Sequence, residues 1–213
     1  MVDKKAIMGI NRKIKRFEEM SLEKAGMQYQ GLSWGELGAQ RVWRSGGKSP
    51  AKGKYIERGV AEHLSFDLSG MWGSLAVDLD YPIAKEFLNR FDVVTNYGTI
   101  EHVNNQYQVF KNMHDMCRVG GLMIHAFPKE GTWIPHGRYY YSEEFAREFA
   151  EACGYEINKI GLLNYRGVRT GPRILVMVSY IKSSRYEYIS RKKLKSLPLI
   201  DSGDMRKTGN YTV

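Results

Sequence analysis

The sequence has few of the residues that hold small or fibrous proteins together. Among 213 residues there are two cysteines, six prolines and five histidines. Two thiols cannot staple a chain of this length, which excludes a disulfide scaffold. So few prolines, with no Gly-X-Y period, exclude collagen and proline-rich low-complexity chains. No window approaches the ~18 consecutive apolar residues of a transmembrane helix. The basic first stretch, MVDKKAIMGINRKIKRF, has no apolar run long enough for a secretory signal. Cys117 and Cys153 fall in stretches with helical patterning and read as buried free thiols of a reducing, cytoplasmic compartment. No internal repeat is visible.

What is present is an average globular composition, 43% hydrophobic and 26% charged, in a chain long enough to bury a sizeable core. The net charge is +9 and unevenly spread. Residues 1–30 carry +3, residues 41–58 carry +5 and residues 182–213 carry +5, while the remaining body carries −4. Basic arms on a slightly acidic body suit an anionic partner, or are simply solvated. Three segments follow: an N-terminal helical arm (1–30), a central domain (31–182) and a basic C-terminal tail (183–213).

Apolar spacing of three and four predicts a helix over 4–28, carrying Ile7, Ile10, Ile14 and Phe17. Strands are expected at 32–38, 63–67, 73–79, 91–96 and 122–127. The breaker-rich stretch SGGKSPAKGK (45–54) reads as a basic loop before a short helix at 55–62. Its Gly46-Gly47-Lys48-Ser49 lacks the upstream glycine of a phosphate loop. A helix is expected over 104–118, ended by Gly120-Gly121. Another starts at Ser142 as N-cap, with Glu143 and Glu144 at the positive end of its dipole, and Gly154 closes it. Two closing strands, 156–164 and 174–181, flank a Gly/Arg turn. Strands alternating with helices predict an α/β fold, a doubly wound and mostly parallel sheet, with an antiparallel closing pair.

In such a sheet ligands bind beyond the carboxyl ends of the strands, where the strand order reverses. The residues there are Glu36, Gly38 and Gln40, then Asp67, then Asp78 and Leu79, then Asn96 and Tyr97, and last Glu101, His102 and His125 to Pro128. Acceptors at successive strand ends suit a ligand bearing hydroxyls and exocyclic amines, such as an adenosine. Each also has a plainer reading: Glu36 as a helix cap, Asp67 and Asp78 as turn residues, His125 as a hydrogen-bonded core side chain. Trp133, Tyr139, Tyr140 and Tyr141 form either a lid or core packing. His63, His102, His114, His125 and His136 show no pair at close ligand spacing, so no metal site is expected.

The run FDVVTNYGTIEHV, an amphipathic helix, VGGLMIHAFP and YYYSEEFAREFAEACGYEI together resemble the second half of the class I S-adenosylmethionine (SAM) dependent methyltransferases, in their small-molecule branch. WGELGAQ, HLSFDLSG and SLAVDLDYPI fall in order where that family's first three strands end, so the resemblance spans roughly 32–181. It implies a seven-stranded Rossmann-like sheet and SAM as cofactor. By position, Glu36, Gly38 and Gln40 would line the methionine part. Asp67 would take the ribose hydroxyls, Asp78 and Leu79 would flank the adenine, and Asn96 and Tyr97 would sit under the sulfonium. Gln40 stands where a second glycine is usual. An acceptor that must lose a proton would use His102, His125 or His136 as base. Three functions therefore compete: methyl transfer to oxygen or nitrogen of a small-molecule or saccharide-like acceptor, methyl transfer to RNA or another polyanion docked on the basic arms, and a non-catalytic interaction module of the same fold.

Overall fold

A computed structural model describes residues 9–44, 47–165, 172–183 and 188–208. Ile7 and most of the Gly/Arg turn lie outside them. Helix α1 (Arg12–Lys24) starts where the Asn11 side chain accepts from the backbone N–H groups of Lys13 and Ile14, at 2.8 and 2.9 Å, and ends before Gly26 at φ +67°. It is shorter than expected because Asn11 caps it and Ile10 instead bridges to Val42. Strand β1 (Ser33–Leu37) follows.

The basic stretch after it is not a loop. Strands β2 (Arg41–Arg44) and β3 (Gly47–Pro50) form a hairpin, and α2 (Ala51–Glu57) begins at once, with Pro50 as its N-cap residue at φ −54°. The proline that reads as a breaker thus sits just ahead of a helix, where its missing N–H is harmless. Strand β4 (Glu62–Asp67) matches expectation; β5 is only Leu75–Ala76, because Asp78 accepts from the Asp80 N–H at 3.0 Å and turns the chain away. Then come β6 (Phe91–Tyr97), α3 (Gln106–Met116), β7 (Cys117–Pro128) and β8 (Tyr139–Tyr140). Helix α4 (Glu143–Cys153) is capped by Ser142, whose hydroxyl accepts from the Phe145 N–H at 3.0 Å, and stops at Gly154. Strands β9 (Glu156–Tyr165) and β10 (Arg173–Ile181), helix α5 (Arg191–Lys195) and β11 (Ile200–Asp201) complete the chain.

Seven strands form one sheet in the order β5-β4-β1-β6-β7-β10-β9. Neighbours from β5 to β7 are parallel; β10 alone runs antiparallel to both β7 and β9. The doubly wound sheet with an antiparallel closing pair is therefore as predicted. One face packs α1 and α2 over Trp34, Val93, Leu122 and Ile124. The other packs α3 and α4 over Val94, Met123, Phe127 and Val178. Residues 188–208 do not trail off: Ile189, Leu194 and Leu197 are buried, and β11 pairs with β8.

One side chain of the N-terminal helix gathers bonds from several parts of the domain. Glu18 is fully buried. Its Oε1 accepts from the Tyr29 hydroxyl at 2.6 Å and Lys54 Nζ at 2.9 Å, and its Oε2 from the Tyr55 and Tyr97 hydroxyls at 2.7 and 2.8 Å. These four donors come from the loop after α1, from α2 and from the end of β6. Burial, then the Glu18 charge, hold the Tyr55 and Tyr97 phenols protonated, well above their ordinary range. Period-two alternation puts His125 on the α3/α4 face, stacked on Phe127 at 4.7 Å and edge-on to Tyr180 at 5.5 Å. Burial alone lowers its pKa to about 3.

Two outcomes follow from this packing. Glu18→Gln strands the Lys54 ammonium in the interior and is expected to cost about 3–5 kcal/mol, read from urea unfolding. His125 stays neutral in the fold, whereas in the unfolded chain it protonates below about pH 6.5. Stability should then fall as pH drops from about 6.5 toward 3, by up to about 1.4 kcal/mol per pH unit. His125→Phe should flatten that part of the pH dependence; an unchanged slope between pH 6 and 4 would remove His125 as its source.

Candidate active site at the carboxyl ends of the strands

The strand order reverses between β1 and β6, and the turns after β1, β4 and β6 meet at that point. Gly38, at φ +81°, makes the turn after β1. Its N–H donates to the Phe66 carbonyl at 2.8 Å, and the next N–H, of Ala39, donates to Asp67 Oδ2 at 2.9 Å. The Thr99 hydroxyl donates to the Leu37 carbonyl at 2.9 Å and accepts from Gln40 Nε2 at 3.2 Å. The packing is close enough that a Cβ on Gly38 would meet Thr99 Oγ1 at 2.2 Å.

A polar chain runs through this junction. Glu36 Oε1 accepts from the Gln40 N–H at 3.1 Å; Gln40 reaches Thr99; and Asn96 Oδ1 accepts from the N–H groups of Thr99 and Ile100, each at 3.1 Å. Glu36, Gln40 and Asn96 are all buried. Three of their polar atoms have no hydrogen-bond partner among the described residues: Glu36 Oε2, Gln40 Oε1 and Asn96 Nδ2. His63, stacked on Tyr55 at 4.8 Å, comes within 3.5 Å of Glu36 Oε2. Buried polar atoms are normally satisfied, so three orphans on one connected chain set this junction apart from an ordinary turn.

The other expected residues fall around this centre in different ways. Asp67 is half-buried at the tip of β4, with Oδ1 accepting from the Ser69 N–H at 2.8 Å and also from the Ser69 hydroxyl. Asp78 is exposed and turned into its own tight turn, whereas Leu79 is buried among the α3-side apolar residues. Tyr97 points to the opposite side of its strand from Asn96, toward Glu18. Among the three histidines, His125 lies in the aromatic core. His102 and His136 come together at 5.0 Å between ring centroids, beside Glu101. Trp133, Tyr139, Tyr140 and Tyr141 are buried, and Trp133 Nε1 donates to the Ile174 carbonyl at 2.6 Å, so they pack rather than form a lid. Spacing in the sequence gave no sign of the Glu101, His102 and His136 cluster, because 34 positions separate its two histidines. Thr99 was also missed; its only signal is its place directly after Gly98 in the β6 turn.

Part of the basic charge is paired within the fold. Lys54 and Arg58 bond Glu18 and Glu19 at 2.9 and 2.8 Å, and Lys182 Nζ donates to the carbonyls of His114 and Cys117 at 2.7 and 2.8 Å. Among the described residues, no helix is long and apolar enough to cross a membrane.

No family model matches the chain, and no curated protein is similar to it in sequence. Solved structures do match. A SAM-dependent methyltransferase from Mesorhizobium loti is 13% identical, with a TM-score of 0.55 over 79% of this chain and 96% of its own. The 1,6-didemethyltoxoflavin-N1-methyltransferase of Burkholderia thailandensis, solved with bound 1,6-didemethyltoxoflavin and S-adenosylhomocysteine, is 16% identical, with a TM-score of 0.50 over 80% of this chain and 81% of its own. The cyclase SpnF is 12% identical, with a TM-score of 0.54 over 82% of this chain and 83% of its own. Identities this low speak for architecture alone. The chain has the Rossmann-like fold of the class I SAM-dependent methyltransferases.

Proposed function

We propose that the chain is a SAM-dependent methyltransferase acting on a small-molecule acceptor. The observation that carries this reading is the chain of buried, unsatisfied polar atoms at the switch point of this sheet. Its composition fits the two ends of an α-amino acid. Glu36 Oε2 and Gln40 Oε1 are acceptors suited to an ammonium, and Asn96 Nδ2 is a donor suited to a carboxylate. The Asn96 amide is held the right way round by the two N–H groups on its oxygen. Asp67 has about four acceptor positions. Three are taken by Ala39 and Ser69, which leaves about one for a ribose hydroxyl.

Bound SAM would supply an electrophilic methyl group on a sulfonium, open to direct displacement by an acceptor oxygen or nitrogen. The protein's part is then chiefly to position the reactants and exclude water. Glu36, Gly38, Gln40 and Asn96 would orient the methionine end, and Leu79 would give an apolar contact to the adenine. Asp78 would reach the adenine only by leaving its turn. The Tyr97 phenol is committed to Glu18 and would act by holding the end of β6 in place. Of the histidines expected as bases, His102 and His136 would be the ones near the acceptor; His125 takes no part. The internal pairing of Lys54, Arg58 and Lys182 favours a small acceptor over a polyanion docked on the basic segments.

One observation favours a second reading, a ligand-binding module without transfer: the space beside Gly38 is filled by Thr99 of the chain itself. Calorimetric titration with S-adenosylhomocysteine separates the two. A one-to-one isotherm in the micromolar range is expected. Asp67→Ala should weaken it by about 1–3 kcal/mol through lost hydrogen bonds to a charged acceptor. Absence of heat from a protein shown to be folded would overturn the methyltransferase reading, and unchanged affinity in folded Asp67→Ala would remove Asp67 from the site.

A further inference from the structure

We infer that Glu101, His102 and His136 form a binding site for one divalent transition cation of the zinc type. The site does not depend on the methyltransferase reading. Glu101 lies in the short turn Ile100–His102 that follows β6 and is fully buried, yet neither of its carboxylate oxygens has a hydrogen-bond donor among the described residues. His136 is 7% exposed, and its Nε2 is likewise without a hydrogen bond. Burying a carboxylate with no donor is strongly unfavourable unless a proton or a cation neutralises it.

The spacing distinguishes those two. His136 Nε2 lies 3.5 Å from Glu101 Oε1, and His102 Nε2 lies 4.0 Å from the same oxygen. Both separations exceed a normal hydrogen bond. The first is close to the distance between two ligands on one tetrahedral zinc, which is about 3.4 Å for metal–ligand bonds near 2.1 Å, and the second would have to shorten when an ion binds. One ligand atom from each of the three side chains falls within 4.8 Å of the others.

The surroundings suit a ligand set. His102 Nδ1 is 2.8 Å from the Lys207 carbonyl, an acceptor, so Nδ1 carries the hydrogen and Nε2 carries the lone pair in the neutral ring. The loop bearing His136 is pinned to the Glu101 turn by the Arg138 N–H, which donates to the Glu101 carbonyl at 3.1 Å. Gly137 permits this approach: a Cβ there would stand 2.9 Å from Glu101 Cγ. Two imidazoles and one carboxylate select a zinc-like cation over magnesium or calcium, which prefer oxygen ligands. Three protein ligands leave a coordination position for water or an acceptor oxygen. Ile100, next to Glu101, donates its N–H to Asn96, so the site adjoins the polar chain described above.

The test uses the metal-stripped full chain, titrated with Zn²⁺ by calorimetry and with Co²⁺ by visible absorption. The expected result is one equivalent bound, with the Co²⁺ spectrum of a nitrogen and oxygen site. Glu101→Gln and His136→Gln should each weaken Zn²⁺ binding at least about tenfold, the loss that even an outer-shell change produces. Asp67→Ala should bind Zn²⁺ as the parent does while losing affinity for S-adenosylhomocysteine, so failure of one site is not mistaken for failure of the other. The proposal is overturned if the folded parent takes up no Zn²⁺, or if folded Glu101→Gln or His136→Gln binds it undiminished. Should both variants fail to fold, the parent's Co²⁺ spectrum decides: thiolate charge-transfer bands would place the ion at a cysteine and end the proposal.

Discussion

The structure depends on one buried carboxylate. Glu18 brings a negative charge into an interior where it would be intolerable alone, and four donors from three other parts of the chain converge on it. Each donor has its own reason to be there. Tyr29 stacks on Trp34 at 5.7 Å, Tyr55 packs on Trp34 and His63, and Tyr97 ends the central strand β6. The N-terminal helix, the helix after the hairpin and the strand leading into the site are thereby locked to one point. Apolar packing would allow α1 to slide along the sheet; a carboxylate satisfied by four fixed donors does not.

That lock bears on the site through alternation along β6. Val93, Thr95 and Tyr97 face α1 and α2, while Val94 and Asn96 face the other way. Fixing Tyr97 by its hydroxyl therefore fixes the outlook of Asn96, whose oxygen then takes two N–H groups of the following turn. Thr99 in that turn reaches across to Leu37 and Gln40, and Gln40 returns to Glu36. The buried lock and this polar chain are thus coupled through the backbone of β6, with Tyr97 on one face and Asn96 on the other.

Much of the sheet was legible in the sequence. The β-branched run at 91–97, the Ser142 cap and the glycine stops all act locally, so each is visible in a short window. The hairpin and α2 were not legible, because Gly47, Pro50 and Gly53 are breakers by propensity and only tertiary contact makes them tolerable here. Glu18 looks like one more solvated charge on a basic helix, since nothing in its neighbourhood shows that tyrosines 11, 37 and 79 positions away will surround it. Of the site, the strand-end residues Glu36, Gly38, Asp67 and Asn96 came from position alone. Which face Tyr97 and His125 would take depends on register, and a one-residue change of register would have reversed it. The pairing of Glu101 with His136 needed the β7–β8 loop to fold back, a long-range event with no local signature.

Architecture does not decide what such a site does, as a cyclase among the matching structures makes plain. The decision lies in which polar atoms the fold leaves open. Among the polar atoms left open in the described residues are two neighbouring groups: the Glu36, Gln40 and Asn96 chain, whose donors and acceptors match a zwitterion, and the Glu101 cluster, whose nitrogen and oxygen atoms match a cation. An interior that hydrogen-bonds Glu18 four times over is able to satisfy a buried carboxylate. That Glu36 and Glu101 are left partly or wholly without donors is then a property of these two places, and it is the ground on which both proposed ligands rest.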